Sequence, residues 1–231
     1  MRLDSSHRLG VFEVGTNHPG ELLPLVDMVR PLAGIITTIG EEHLEYFHDL
    51  EGVAQEEGTL AEMLPREGLL VLNADDSWSA AIARRCLAPV VLFGFSDAAA
   101  YRAVEVKVDL DGTRFKLRTP KGEVAVNLSL IGRHQVANAL AAAAVGEFLG
   151  LSLDEIRRGL ESVQPGKMRM ERRTTREGVL ILNDAYNANP SSMRAAFEAV
   201  KDLPVAGKRI AVLGGMRELG ESSETAHRAI G

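Results

Sequence analysis

Apolar residues in this 231-residue chain fall into short unbroken runs, separated by segments with helical spacing. "LGVFEVG" predicts a strand over residues 9–15, followed by the loop "TNHPGE" and a helix over about 20–30. "LAGIITTIG" reads as a second buried strand. Leu50, Val53, Leu60 and Leu64 then mark one face of a helix over about 49–64, with Glu57 standing where the next apolar position after Val53 is due. Glu51, Glu56 and Glu62 fall off that stripe and read as solvated. "GLLVLNADD" and "PVVLFGF" are further strands, with the helical "SWSAAIARRCL" between them. Continuous apolar strands alternating with helices predict a parallel sheet covered on both faces.

The pattern then changes. "AVEVKVDLDGTRFKLRTPKGEVAVNLSL" alternates with period two around turns at Asp111 and Gly112 and at Pro120 to Gly122, which predicts an antiparallel meander. "HQVANALAAAAVGEFLG" and "SLDEIRRGLESV" predict two helices, the second capped by Ser152 with Glu155 three residues on. "QPGKM" is the best linker, and two more strand–loop–helix units follow over about 178–200 and 208–227. The expected fold is therefore α/β: a mostly parallel central sheet with flanking helices and an antiparallel meander, then part of a second Rossmann-like α/β domain. The expected domains are 1–164 and 165–231. A core strand near Met1 and an unfinished helix at Gly231 lead to the expectation of a fragment.

Composition narrows the function. With 45% hydrophobic and 25% charged residues the chain is of ordinary globular type. A net charge of −6 argues against a nucleic-acid or anionic-membrane surface as main partner. Cys86 is the single cysteine, so no internal disulfide or thiolate zinc cluster is available, and a reduced cytoplasm is the default setting. No run approaches the length of a membrane span.

Ligands of open parallel sheets bind beyond the carboxyl ends of the strands. Glu13 lies in an apolar strand, His43 directly follows "IITTIG", and Glu57 occupies an inward helical row. Unpartnered buried carboxylates are costly, so two of them with one imidazole suit a divalent cation, Mg2+ or Mn2+ before zinc. Helix-start placement for His43 and pairing with an arginine or lysine for Glu57 are the competing readings. His134 and Asn138 share one face of a helix near its N-terminal end, where capping is the alternative. In "LNDAYNANPSSM" a strand delivers Asp184 to its end, and a loop rich in donors and acceptors leads to a helix opened by Ser191 or Ser192. "LGGMRELG" is a glycine-rich strand end, and no G-x-x-x-x-G-K-[ST] phosphate loop is present.

Taken in order, "FEVGTNHPGE", "TTIGEEHLEYF", "LNADD", "GRHQVANALAAAA", "KMRME" and "NDAYNANPSSM" resemble the Mur ligase family. "NHPGE", "YNANP" and "LGGMRELGE" point to the branch that adds D-alanyl-D-alanine to UDP-muramoyl tripeptide. The resemblance implies an ATP-dependent amide ligase of bacterial peptidoglycan synthesis, cytoplasmic and monomeric when complete, acting through an acyl phosphate with magnesium. By position, Glu13 and His43 resemble the magnesium ligands, with Glu57 where many members carry a carbamylated lysine. Glu57, His43 and Arg169 are thus the implied catalytic set. Asn138 and His134 resemble the adenine side, Asp184 the ribose aspartate, and Arg169 the arginine that reaches the phosphates, with Lys167 as the competing alignment. Asn17, His18, Tyr186, Asn187 and Asn189 are the implied substrate contacts. The family's phosphate loop lies upstream of Glu13, so the resemblance implies a central-to-C-terminal piece unable to turn over ATP by itself. Two other readings stay open: a sibling ligase acting with another amino acid, folate or cyanophycin, and a non-catalytic module binding nucleotide or precursor.

Overall fold

The computed structural model describes residues 4–201, 203–205 and 207–231. Helix α1 (Leu22–Val29) leads to β1 (Ala33–Ile36), the short α2 (Leu44–Phe47), and then α3 (Leu50–Glu57) and α4 (Thr59–Met63). Strand β2 (Leu69–Asn73), α5 (Ser79–Ala83) and β3 (Val90–Gly94) follow. Next come β4 (Tyr101–Asp109), β5 (Gly112–Thr119), β6 (Gly122–Leu128), α6 (Arg133–Phe148) and α7 (Leu153–Ser162). The C-terminal part holds β7 (Glu171–Thr174), β8 (Leu180–Asn183), α8 (Pro190–Lys201), a 3-10 turn at Gly220–Ser222 and α9 (Ser223–Ile230).

Strands β1 to β6 form one sheet in sequence order. The first three pairings are parallel and the last two antiparallel. β2 shows why its sequence is an unbroken apolar run. Leu69 and Val71 join the core shared with α6, while Leu70 and Leu72 join the core under α3, α4 and α5. Side chains alternate between faces, so a strand covered on both sides must be apolar at every position. The meander needs only one apolar face. Its outward residues pair across strands instead, Lys116 with Glu105 at 2.6 Å and Arg118 with Glu123 at 2.5 Å.

The helix expected over 49–64 is broken at Gly58. Arg85 places its guanidinium there, donating to the carbonyls of Ala54 at 3.2 Å and Gln55 at 2.9 Å and to Glu62 at 2.7 Å. The Ala54 carbonyl also accepts from Gly58 N at 3.0 Å, so the guanidinium sits over the carbonyl end of α3, where a cation is favourable and the helix stops. A Cβ at residue 58 would lie 1.9 Å from Arg85 Nη1, which is why glycine occupies the break. The capping box of Ser152 and Glu155 forms at the start of α7 as expected.

Two expected strands do not form. Residues 9–15 and 208–215 are irregular, with Val11 84% and Val212 94% exposed. A strand exists only through a ladder, and among the described residues no segment pairs with either. The C-terminal part also departs from a purely parallel arrangement. β7 and β8 pair antiparallel, because Gly178 at φ 82° turns the chain back within a few residues and leaves no room for a crossover.

Candidate functional site

The acidic stretch after β1 alternates in direction. Glu42 and Glu57 turn toward each other, and neither meets a lysine or arginine among the described residues that act on its charge. Burial pushes the Glu57 carboxyl up to about 7, helped by the negative charges of Glu42 and Glu56. Burial also raises Glu42, with the nearby His43 opposing. Such a pair of oxygen donors lacking a counter-charge suits a divalent cation.

Glu56 corrects the reading of a solvated residue. It is buried, and its carboxylate accepts from Gly20 N and Leu22 N, each at 2.8 Å. It thereby caps α1 from a distant helix, a second buried face that the single stripe of α3 did not reveal. Glu56→Ala leaves two amides without acceptors and is expected to cost about 1–3 kcal/mol, read as a lower denaturant midpoint with unchanged slope.

His43 and its neighbours on the odd-numbered side face the C-terminal part. His43 Nδ1 bonds Glu218 Oε2, and Arg194 pairs with Glu41. Glu41 N donates to Ser191 Oγ at 3.3 Å, and Glu45 N donates to the Glu218 carbonyl at 3.0 Å. Arg172 reaches back to Asp111 at 2.5 Å and to the Leu110 carbonyl at 3.0 Å. His43 itself sits in the left-handed region at φ 52°, uncommon for a residue with a Cβ.

Glu13 is exposed on an irregular segment, so the expectation of a strand-borne inward carboxylate is not met. The structure does not assemble Glu13, His43 and Glu57 as one cluster: among the described residues no group of three or more His, Cys, Asp or Glu side chains could hold a metal ion. Asn17 and His18 are exposed and fold around Glu21, which accepts from their backbone amides at 2.9 and 3.1 Å. Those two bonds hold the Glu21 carboxyl below its usual range. The His18 ring also lies 4.0 Å from the Tyr46 ring.

The remaining candidates gather around the start of the C-terminal part. Met168 and Met170 both have positive φ and flank Arg169, whose guanidinium lies 4.1 Å from the centre of the Tyr186 ring. Asp184 Oδ1 accepts from Met170 N at 2.9 Å, and Tyr186 N donates to the Met168 carbonyl at 3.2 Å. Lys167 is exposed beside this knot. His134 at the start of α6 is half-buried. Burial lowers its pKa, with the charge of Asp184 opposing. Asn138, one turn further along α6, is exposed. α8 opens on Asn189 rather than on Ser191 or Ser192: Asn189 Oδ1 accepts from Ser192 N at 2.7 Å, with Pro190 as first helical residue. Asn187 Oδ1 accepts from Ala188 N at 2.9 Å.

Two clefts accompany these groups. One of about 330 Å³ lies between Arg133 and His134 on α6 and Ala195, Glu198 and Ala199 on α8. The other, about 260 Å³, lies beyond the carboxyl ends of β1 and β2 against Thr38, Asn73 and Trp78. Its polar Asn73, Asp75 and Asp76 are engaged with backbone, Asp75 accepting from Phe95 N at 2.6 Å and Asp76 from Ile39 N at 2.6 Å. That cleft was not anticipated from the sequence, although "LNADD" marks its rim.

The chain belongs to the Mur ligase family. The family model for the Mur ligase middle domain matches residues 2–146, and that for the Mur ligase glutamate ligase domain matches residues 168–231. It is similar to the UDP-N-acetylmuramoyl-tripeptide–D-alanyl-D-alanine ligase of Escherichia coli, 38% identical over 100% of this chain and 51% of that protein. The Bacillus subtilis ligase of the same name is 32% identical over 100% of this chain and 50% of its own length. Among solved structures, MurF from Acinetobacter baumannii superposes with a TM-score of 0.93 at 31% identity, over 99% of this chain and 49% of that one. MurF ligase from Thermotoga maritima in complex with ADP gives 0.83 at 26% identity, over 93% and 49%. The chain spans about half the length of the curated relatives it matches.

Proposed function

We propose that this chain supplies the central domain, residues 1–164, and the C-terminal domain, residues 165–231, of an ATP-dependent amide ligase of peptidoglycan precursor synthesis. The reaction joins the carboxylate of UDP-muramoyl tripeptide to the amine of D-alanyl-D-alanine through an acyl phosphate, with ATP as phosphoryl donor. The observation that carries this reading is the 38% identity to a ligase of that specificity along the whole chain.

Arg169 is the group for the nucleotide phosphates, and the Tyr186 ring beneath its guanidinium fixes its direction. Asp184 keeps one carboxylate oxygen on Met170 N and has the other for a ribose hydroxyl. His134, whose pKa burial lowers, and Asn138 offer hydrogen bonds on the adenine side. Asn17, His18, Asn187 and Asn189 belong to the substrate side, and Lys167 is the alternative phosphate contact. In this reading the enzyme works as a monomer in the bacterial cytoplasm. No helix of the described residues is long and apolar enough to cross a membrane.

The buried carboxylates of Glu42 and Glu57 are oxygen donors of the kind Mg2+ or Mn2+ takes, whereas Glu13, which is exposed, and His43, which bonds Glu218, do not complete a three-residue set with them among the described residues. A bound magnesium ion would neutralise phosphate charge. Glu57 then presents directly the carboxylate that a carbamylated lysine supplies in many members.

The test is phosphate release from ATP by the complete protein, dependent on both the tripeptide precursor and D-alanyl-D-alanine. A preference for another amino acid in a substrate panel would overturn the specificity. Glu57→Ala is expected to lower kcat by on the order of 10²-fold at every magnesium concentration, as removal of a charge-stabilising group does elsewhere. Wild-type activity should not respond to bicarbonate. Full activity of the variant would remove Glu57 from the site.

A further inference from the structure

The loop from Asn17 to Leu22 has every backbone N–H engaged. Glu21 Oε2 accepts from Asn17 N at 2.9 Å and from His18 N at 3.1 Å, and Glu21 N donates to the His18 carbonyl at 3.4 Å. Pro19 has no N–H to satisfy. Gly20 N and Leu22 N donate to the two carboxylate oxygens of Glu56, each at 2.8 Å. The bonds to Glu21 and to the His18 carbonyl move with the loop, whereas those to Glu56 reach outside it. From this geometry we infer that Glu56 is a positioning residue for a peptide substrate: it pins the loop to α3, the helix that also carries Glu57, so that Asn17 and His18 are presented in one place. The inference rests on Asn17 and His18 being substrate contacts, as proposed above.

The form of the loop supports it. Its amides are all spent, yet the side chains of Asn17 and His18 are exposed, so recognition falls to those two groups. A carboxamide and an imidazole both donate and accept, which matches the amide and carboxylate groups of a peptide. The imidazole is also held in direction: His18 Nδ1 lies 3.2 Å from Glu21 Oε1, and its ring centre lies 4.0 Å from that of Tyr46 on α2. At the start of the loop Thr16 is buried with its hydroxyl unpaired among the described residues, a group that a ligand entering here would satisfy. Glu56 itself is buried, and a buried carboxylate has no water to fall back on, so the two loop amides are its required partners. Gly20 meets it at φ 86°, a conformation that a residue with a Cβ rarely adopts.

Steady-state kinetics of the complete protein test this, with the tripeptide precursor, D-alanyl-D-alanine and ATP each varied in turn. Glu56→Gln keeps the volume but sets an NH2 group against one of the two amides, so one anchor is lost. It should raise KM for one of the two peptide substrates about 10-fold and leave kcat and KM for ATP within about two-fold. The substrate whose KM moves identifies the peptide. Asn17→Ala or His18→Ala should raise the same KM, and by less in the Glu56→Gln background than alone, since an unpinned loop no longer presents the group. Val53→Ala, on the core face of α3, is the control: it weakens packing, keeps both anchors and should leave every KM unchanged. A KM increase in Val53→Ala that matches Glu56→Gln means a softened helix and overturns the inference, as does a rise confined to ATP. It also fails if Glu56→Gln changes no KM while Asn17→Ala or His18→Ala does. No KM response in either loop variant instead defeats the substrate role of the loop itself. Amide hydrogen exchange of the wild-type chain reads the anchor without any substitution: Gly20 and Leu22 should be protected together with α3, and free exchange at both overturns the inference.

Discussion

Glu57→Gln is expected to stabilise the chain above neutral pH and to leave it unchanged near pH 4.5. The folded carboxyl titrates near 7, against an ordinary value of 4.5 for the unfolded chain. Between those values the folded state keeps a proton that the unfolded state has lost, so wild-type stability falls as pH rises through the window and levels off above it. The full span is worth about 3 kcal/mol. Glutamine has no charge at either limit, so the difference between variant and wild type should open from pH 4.5 to 7 and then stay constant. Urea unfolding in chelator at pH 4.5, 6 and 8 reads this directly. An equal difference at all three values would contradict it. Adding millimolar Mn2+ at pH 8 should close the gap, because an ion that binds only the folded wild type stabilises it by mass action.

Phe93→Ala should be among the most damaging single changes, at about 3–5 kcal/mol. Phe93 has no exposed surface and lies in β3 between Asn73 and Tyr101 on the neighbouring strands. It belongs to the core that α6 closes over the sheet, so truncation leaves a hole that flanking strands cannot fill. Small domains are stable by only about 5–15 kcal/mol, so the loss is a large share of the total. Val212→Ala, at a side chain 94% exposed, is the contrast and should stay within about 0.5 kcal/mol. A Phe93→Ala midpoint close to that of Val212→Ala would mean that the core is not where it is drawn here.

Much of this was legible because it is local. The capping box at Ser152, the meander turns and the two-sided apolar strands depend on residues a few positions apart. Glu57 could be placed on the inner row of its helix for the same reason. Glu56 could not, since its acceptor role depends on Gly20 and Leu22, 36 and 34 residues away. Glu42 carried no periodic signal at all. The contacts of Glu41 with Arg194 and of His43 with Glu218 join charged residues that any reading of one stretch treats as solvated. The strands expected at 9–15 and 208–215 failed for a complementary reason. Apolar β-prone sequence states a preference, whereas pairing also needs a neighbour.

The order β1 to β6 means that each strand of the main sheet lies beside the one made just before it. Nothing has to be inserted between strands already paired. Among the described residues the sheet can therefore extend from β1 to β6 in order, with no earlier strand of this set waiting for a later one. Only α6, which packs against β2, β3, β4 and β5, must then swing back to close the layer.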